Sequence, residues 1–286
     1  MRIAEQMREL KTRRQGLRET IMITRNSLNK SAVTYEEDTC PFCGRRREKR
    51  WSTGGRTAYR QCECEENQKA KEEWGALIRK ESDYTDQLEA VEREIASLKK
   101  KSVELLEQSN LGRRFKDRTF ESFQTTDFDA AYRVALEYAQ RFEENTGKGL
   151  LFIGTPGTGK THLAAAMTNY IISEFGIPVK FGSFIDLLDN VKRGFKTDEE
   201  VVQKLQEVPL LVIDDLGKER QTQWSNAVLY QVINGRYENY LPIVITTNET
   251  MKTLEENIGQ ATVSRLIEMC SGVKMVGKDF RKERLG

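Results

Sequence analysis

Gly154-Thr155-Pro156-Gly157-Thr158-Gly159-Lys160-Thr161 fits the pattern G-x-x-x-x-G-K-[ST], and its flanks complete the signature. Before it, Gly149-Leu-Leu-Phe-Ile153 reads as a buried strand; after it, the run from Thr161 to Ile172 reads as a helix. A loop of this kind cradles phosphates for physical reasons. Gly154, Gly157 and Gly159 let the backbone curl until several N–H groups face one anion. The N-terminus of the following helix adds positive potential. Lys160 is the residue that reaches β- and γ-phosphates, and Thr161 the hydroxyl that ligates Mg²⁺. Thr155, Pro156 and Thr158 complete the nucleotide-binding loop.

A site of this design needs an acid at the end of a second buried strand. Val208-Pro-Leu-Leu-Val-Ile-Asp-Asp215 supplies it, with carboxylates where the chain leaves the C-terminal edge of the sheet. Asp214 is the acid on the magnesium side and Asp215 the candidate to polarise the attacking water. Two adjacent buried carboxylates without a cation nearby would be costly. A third run, Pro242-Ile-Val-Ile-Thr-Thr-Asn248, ends in an amide able to orient that water. Further strands are expected at Val179–Phe181 and Val273–Val276, with helices near 160–175, 184–193, 198–207, 222–239 and 259–269. Strands alternating with helices predict an α/β domain whose parallel sheet is covered on both faces. A helix is also expected over 127–145. His162, the sole histidine, follows Thr161 at the first turn of its helix and reads as a packing or capping residue, not a catalytic base.

The 286 residues suit about two domains, and 38% hydrophobic with 31% charged residues excludes a disordered or collagen-like chain. No apolar run reaches the roughly 18 residues of a membrane span, and the N-terminus shows no signal-peptide core. A soluble, cytoplasmic protein is expected. The net charge of +2 hides an asymmetry: Lys and Arg exceed Asp and Glu before residue 120, and the balance reverses after it. That points to two units with different partners.

The front part carries two helical stripes. Ile3, Met7, Leu10, Leu17, Ile21 and Leu28 recur at helical spacing, with Arg14 interrupting. Tyr84, Leu88, Val91, Ile95, Leu98 and Leu105 form a heptad seam in a second helix from about Lys69 to Glu107. An antiparallel hairpin with a compact insert at its tip is the simplest arrangement. Within the insert, Cys40-Pro-Phe-Cys43-Gly and Cys62-Glu-Cys64 give the spacing C-x₂-C-x₁₈-C-x-C. Four thiolates suit tetrahedral, structural Zn²⁺, and free or redox-active thiols are the alternative. Cys270 stands apart and reads as an inert buried thiol. Between the cysteine pairs, Arg45-Arg-Arg-Glu-Lys-Arg-Trp51 with Arg56, Tyr59 and Arg60 mixes basic and aromatic residues. Such a surface suits nucleic acid, a docked protein or simple solvation. The basic connector Asn110–Phe123 is expected to wrap onto the next domain through Phe115, Phe120 and Phe123. The division expected is a front domain at 1–109, a connector with the first helix at 110–148, and the nucleotide-binding domain at 149–286.

Taken together, GTPGTGKTHLA, LLVIDDLG, ITTN, the late SRL and DFR, and the RFKDRTFESF connector resemble the DnaC/DnaI helicase loaders. These are AAA+ ATPases on a branch shared with the IstB transposition helper. The resemblance covers about 110–286; the cysteine-bearing front is more like the DnaI type. It implies a P-loop AAA+ core with strand order 5-1-4-3-2, and the short stretch after Arg281 leads to the expectation of no full lid. It implies Arg265 as an arginine finger acting on a neighbouring copy, with self-association in the ATP state, and Arg281 as a second sensor on the nucleotide. Lys192, Arg193 and Lys196, in a helical insertion at Phe184–Val208, would contact single-stranded DNA. The cofactors implied are ATP and Mg²⁺ beside Zn²⁺, and the front would hold a replicative hexameric helicase. Hydrolysis would be slow, because Asp215 stands where many AAA+ proteins carry Glu. A target-selecting partner of a transposase and a non-catalytic adaptor are the alternative functions; the sequence leaves open a chromosomal or phage origin.

Overall fold

The computed structural model describes residues 2–31, 38–53, 56–59, 61–123, 127–145, 147–192, 197–218 and 222–283. It divides into two units, Gln6–Leu98 and the remainder, Met1–Glu5 with Lys99–Gly286. Among the described residues, no helix is long and apolar enough to cross a membrane.

The smaller unit is built on α1 (Ile3–Ser31) and α2 (Glu65–Gln108), joined by the cysteine insert with its short antiparallel hairpin β1 (Lys49–Thr53) and β2 (Arg56–Tyr59). Leu10, Val91 and Ile95 are buried between the helices, with Met7, Leu17 and Leu98 packed around them. Arg18 pairs with Glu92 at 2.7 Å and Arg25 with Glu81 at 2.7 Å. The partner numbers fall along α2 as they rise along α1, so the helices run antiparallel, as the two stripes predicted. These exposed pairs set register more than stability, at about 0–1 kcal/mol each.

In the larger unit, α3 (Arg113–Lys116) and α4 (Asp129–Gln140) precede a five-stranded sheet. Its strands are β3 (Gly149–Ile153), β4 (Val179–Gly182), β5 (Leu210–Ile213), β6 (Ile243–Thr247) and β7 (Cys270–Lys274). All are parallel, in the order β4-β5-β6-β3-β7. Read from the β7 edge this is the expected 5-1-4-3-2. Between the strands lie α5 (Lys160–Phe175), α6 (Phe184–Lys192), α7 (Asp198–Glu207), α8 (Gln223–Glu238), α9 (Met251–Ile258) and α10 (Gln260–Met269), with α11 (Phe280–Glu283) last.

Side chains alternate across the strands, so each face has its own core. Leu150, Phe152, Val179, Phe181, Leu210, Val212 and Val244 pack with α4 and α5. Leu151, Leu211, Ile213, Ile243 and Ile245 pack with α6 to α10. Burial on both sides explains the unbroken apolar runs of β3, β5 and β6. The last strand departs from expectation: it begins at Cys270, not Val273, pairing Gly149 with Cys270. As an edge strand it buries only Val273, so no apolar run announces its start. Helix α9 was not anticipated, and the helix expected over 127–145 ends at Gln140 with a 3₁₀ turn at Phe142–Glu144.

The connector is anchored along the larger unit. Phe181 N–H donates to Ser109 O at 2.7 Å, and the Asn169 amide donates to the carbonyls of Phe115, Lys116 and Arg118. Phe115 packs on Phe181, Phe120 meets Tyr132 and Tyr170 edge-on, and Phe123 stacks on Tyr132.

Candidate nucleotide site

The parallel sheet delivers three loops to one edge. The glycine loop follows β3, the paired acids follow β5, and Asn248 follows β6. Strand order reverses beside β3, because the chain leaves it for the far β4 and returns to β7 on its other side. Such crevices are where ligands bind in open α/β sheets. Here the crevice is a cleft of 350 Å³, with Lys160, Thr161, Asp215, Asn248 and Arg281 on its walls.

Lys160 Nζ donates to the carbonyls of Gly154 at 3.0 Å and Thr155 at 2.7 Å. Burial lowers its pKa, while Asp215 and Asp214 oppose that shift. Asp214 does not line the cleft; it is joined by a hydrogen bond to Thr161, which does. Burial raises its pKa; hydrogen bonds from Thr246, whose Oγ1 donates to Oδ1 at 2.6 Å, and from Thr161 offset part of the rise. Asp215 has a φ of +53°, a left-handed conformation uncommon for a non-glycine residue. That turn is stabilised by its own N–H donating to Thr246 Oγ1 at 2.9 Å. Its carboxylate accepts from Asn248 Nδ2 at 3.2 Å and from Lys218 Nζ at 3.3 Å. Asp215, Asn248, Lys160, Lys218 and Arg281 thus converge within one cleft.

Most residues singled out in the sequence meet here. Pro156, Gly157, Thr158, Gly159, Lys160, Thr161, Asp215, Asn248 and Arg281 line the cleft. Gly154 and Thr155 face an adjoining groove. Arg265 is not brought to the cleft; it lies on α10 against α8. Lys192 ends α6, its side chain outside what is described, and Arg193 and Lys196 lie outside the described residues.

One wall of the cleft comes from the connector, which was expected to pack on this domain but not to reach the nucleotide loop. Arg114, Phe115, Arg118, Ser122 and Phe123 bring the connector onto the nucleotide loop. A Cβ at Gly159, whose φ is +96°, would stand 2.6 Å from the Phe123 ring. His162 Nε2 lies 3.1 Å from Ser122 Oγ and 3.0 Å from Thr119 O, with its ring edge-on to Phe123. Burial and the Arg118 charge lower its pKa. It therefore pins the connector to the first turn of α5, which suits the packing role expected of it. The aromatic spacing of the connector was the available signal, but it does not say which loop the rings cover.

In the smaller unit, Cys40, Cys43, Cys62 and Cys64 bring their sulfurs within 4.8 Å of one another. Cys40 and Cys64 are 3.8 Å apart, Cys43 and Cys62 3.5 Å. A Zn–S bond of about 2.3 Å sets a tetrahedral sulfur–sulfur edge of about 3.8 Å. Cys40 N–H donates to Arg45 O and Gly44 N–H to Cys40 O, each at 2.9 Å, closing a tight knuckle. The four cysteines fit a zinc ion. The side chains of Arg50, Trp51, Arg56, Tyr59 and Arg60 lie outside what is described.

Residues 65–285 match the family of IstB-like ATP binding proteins. The chain belongs to that family. Among curated relatives of this IstB-like chain, the phage-like element PBSX protein XkdC of Bacillus subtilis is 28% identical over 191 residues, 63% of this chain and 71% of that protein. The replicative helicase loader DnaC of Escherichia coli K12 is 29% identical over 140 residues, 48% of this chain and 56% of that protein. Among solved structures, that of the DnaC helicase loader superposes with a TM-score of 0.52 at 29% identity, covering 58% of this chain and all of that one. That of DnaI gives 0.51 at 22% identity over 59% of this chain and 94% of its own, a likeness of fold. The DnaC/DnaI resemblance read from the motifs is therefore borne out, as is the AAA+ P-loop core.

Proposed function

We propose that this IstB-like protein is an ATP-driven loader that delivers a replicative hexameric helicase onto single-stranded DNA. The reading is carried by the Asp215–Asn248 pair, which shares one cleft with Lys160 and Thr161. Its support beyond geometry is the presence of named helicase loaders among the relatives.

Each side chain has a task that its position suits. Lys160 exchanges the Gly154 and Thr155 carbonyls for the β- and γ-phosphates of ATP. Thr161 and Asp214 would hold magnesium, which would supply neutralising charge to the triphosphate. Asp215, held by Asn248 in its left-handed turn, orients the attacking water and accepts its proton. Arg281 contacts the nucleotide from the cleft wall. Arg265 completes the site of a neighbouring copy, so ATP favours self-association. Hydrolysis is slow, since Asp215 is one methylene shorter than a glutamate. The four cysteines hold zinc as a structural ion, which stabilises the front domain (1–109) that docks the helicase. The connector and first helix (110–148) link it to the ATPase domain (149–286). Lys192, Arg193 and Lys196 contact single-stranded DNA, and nucleotide state sets the affinity for DNA and helicase.

The test is mass measurement of the purified chain mixed with a bacterial replicative helicase, with and without ATP. A nucleotide-dependent complex is expected, lost in Lys160→Ala together with ATP binding. ATP turnover surviving in Lys160→Ala overturns the site assignment. The resemblance to the IstB transposition helper gives one rival, assistance to a transposase; capture of a transposase in place of the helicase overturns the loader reading.

A further inference from the structure

Arg265 is held in an unusual way for a half-buried arginine. Its Nε donates to Asn234 Oδ1 at 2.6 Å. Its guanidinium carbon stands 4.9 Å from the ring centre of Tyr230 and 5.9 Å from that of Tyr237. Tyr230, Asn234 and Tyr237 follow one another at spacings of four and three, so they share one face of α8. Each partner is itself fixed. Asn234 Nδ2 donates to Glu238 Oε1 at 2.8 Å, which turns the amide oxygen towards Arg265. Tyr237 donates its hydroxyl to Glu268 Oε1 at 2.8 Å. Glu268 lies three residues beyond Arg265 on α10, the spacing at which a carboxylate would otherwise pair with it. No ion pair joins Arg265 to a carboxylate among the described residues.

We propose that Asn234, Tyr230 and Tyr237 are positioning residues that present Arg265 as an oriented, un-neutralised cation to the triphosphate of a second copy of this chain. This rests on the reading of Arg265 as a finger given above. Electrostatics favour this cradle over a salt bridge. A carboxylate partner would cancel the charge the finger has to deliver, whereas ring faces and a neutral amide hold the guanidinium plane and leave the charge intact. Among the described residues Nη2 makes no hydrogen bond, and Nη1 makes only a 3.4 Å contact to Ala261 O. Tyr237, by engaging Glu268, withdraws the carboxylate best placed to interfere.

The decisive variant is Asn234→Asp, which keeps shape but turns the acceptor into a carboxylate; Glu238 is exposed and can turn to solvent. Full-length protein is assayed at concentrations where copies associate. The expected result is a kcat lowered about tenfold with KM, nucleotide affinity and melting temperature unchanged, the signature of lost charge stabilisation in the transition state. Tyr230→Phe should retain turnover, since the ring face persists, and Tyr230→Leu should lose it. Mixing Asn234→Asp with Lys160→Ala should restore turnover, because the second variant lends an intact finger to the first one's intact nucleotide loop. Full turnover in Asn234→Asp, with Arg265→Ala inactive, overturns the positioning role and leaves the finger standing. A lowered melting temperature with no rescue on mixing marks Asn234 as merely structural and also overturns it. Unchanged turnover in Arg265→Ala removes the finger reading itself.

Discussion

Arg236 is fully buried on α8 and, among the described residues, has no acidic partner and donates to backbone carbonyls. Nη1 reaches Leu205 O at 2.9 Å, Gln206 O at 3.2 Å and Val208 O at 2.8 Å, the open end of α7. Nη2 reaches Pro242 O at 2.5 Å and Pro209 O at 3.4 Å, the residues that lead into β6 and β5. One cation thus caps a helix C-terminus and ties together the entrances of the two strands whose far ends carry Asn248 and the acids. Burial lowers its pKa to about 9, so it stays charged at neutral pH at a desolvation cost. Arg236→Met keeps much of the volume and removes every donor. The three shortest bonds serve buried carbonyls, and each carbonyl left unsatisfied costs about 1–3 kcal/mol. Relief of the guanidinium desolvation returns several kcal/mol, leaving a net loss of about 3 kcal/mol. For a unit of this size that lowers the melting temperature by about 6–12 °C. Thermal and urea unfolding followed by circular dichroism measure it, and ATP turnover should fall with it. A loss below about 1 kcal/mol would mean that water replaces the donors, and the clamp described here would be wrong.

The other predictions concern the site and the cysteines. Asp214→Asn should abolish magnesium-dependent hydrolysis and yet raise the melting temperature of the nucleotide-free protein at pH 7. Because burial raises the native pKa of Asp214, its ionisation costs stability. That cost is absent below the unfolded carboxylate range and complete above the native pKa, so the gain should shrink as pH falls through the native pKa; a gain that stays constant down through the unfolded carboxylate range would contradict it. Asn248→Ala should retain ATP affinity and lose about 100-fold in kcat, measured by steady-state hydrolysis beside nucleotide titration. Cys43→Ser should reduce bound zinc measured by elemental mass spectrometry and abolish helicase capture, while the ATP affinity of the larger unit persists.

Legibility followed the range of the interactions. GTPGTGKT, VIDD and TTN were readable because each combines a locally dictated backbone with a buried strand that must be apolar throughout. The cysteine knuckle was readable because metal ligation needs fixed short spacings. Helix α9 and the start of β7 were not. Leu254 and Ile258 are the only buried residues of that short helix, and the edge strand exposes Ser271, Gly272 and Lys274.

The order of residues alone therefore determined the parallel α/β core, the phosphate loop, the acids beside it and the antiparallel front helices, since each follows from a period or a short motif. Only the tertiary structure decided that Phe123, His162 and the connector arginines wall the nucleotide cleft, that Arg236 clamps two strand entrances, and that Arg265 rests on aromatic rings of α8. Those contacts join residues tens of positions apart, such as Arg265 with Asn234 and His162 with Thr119. Their geometry is set by how sheet and helices pack, and no local pattern in the chain encodes it.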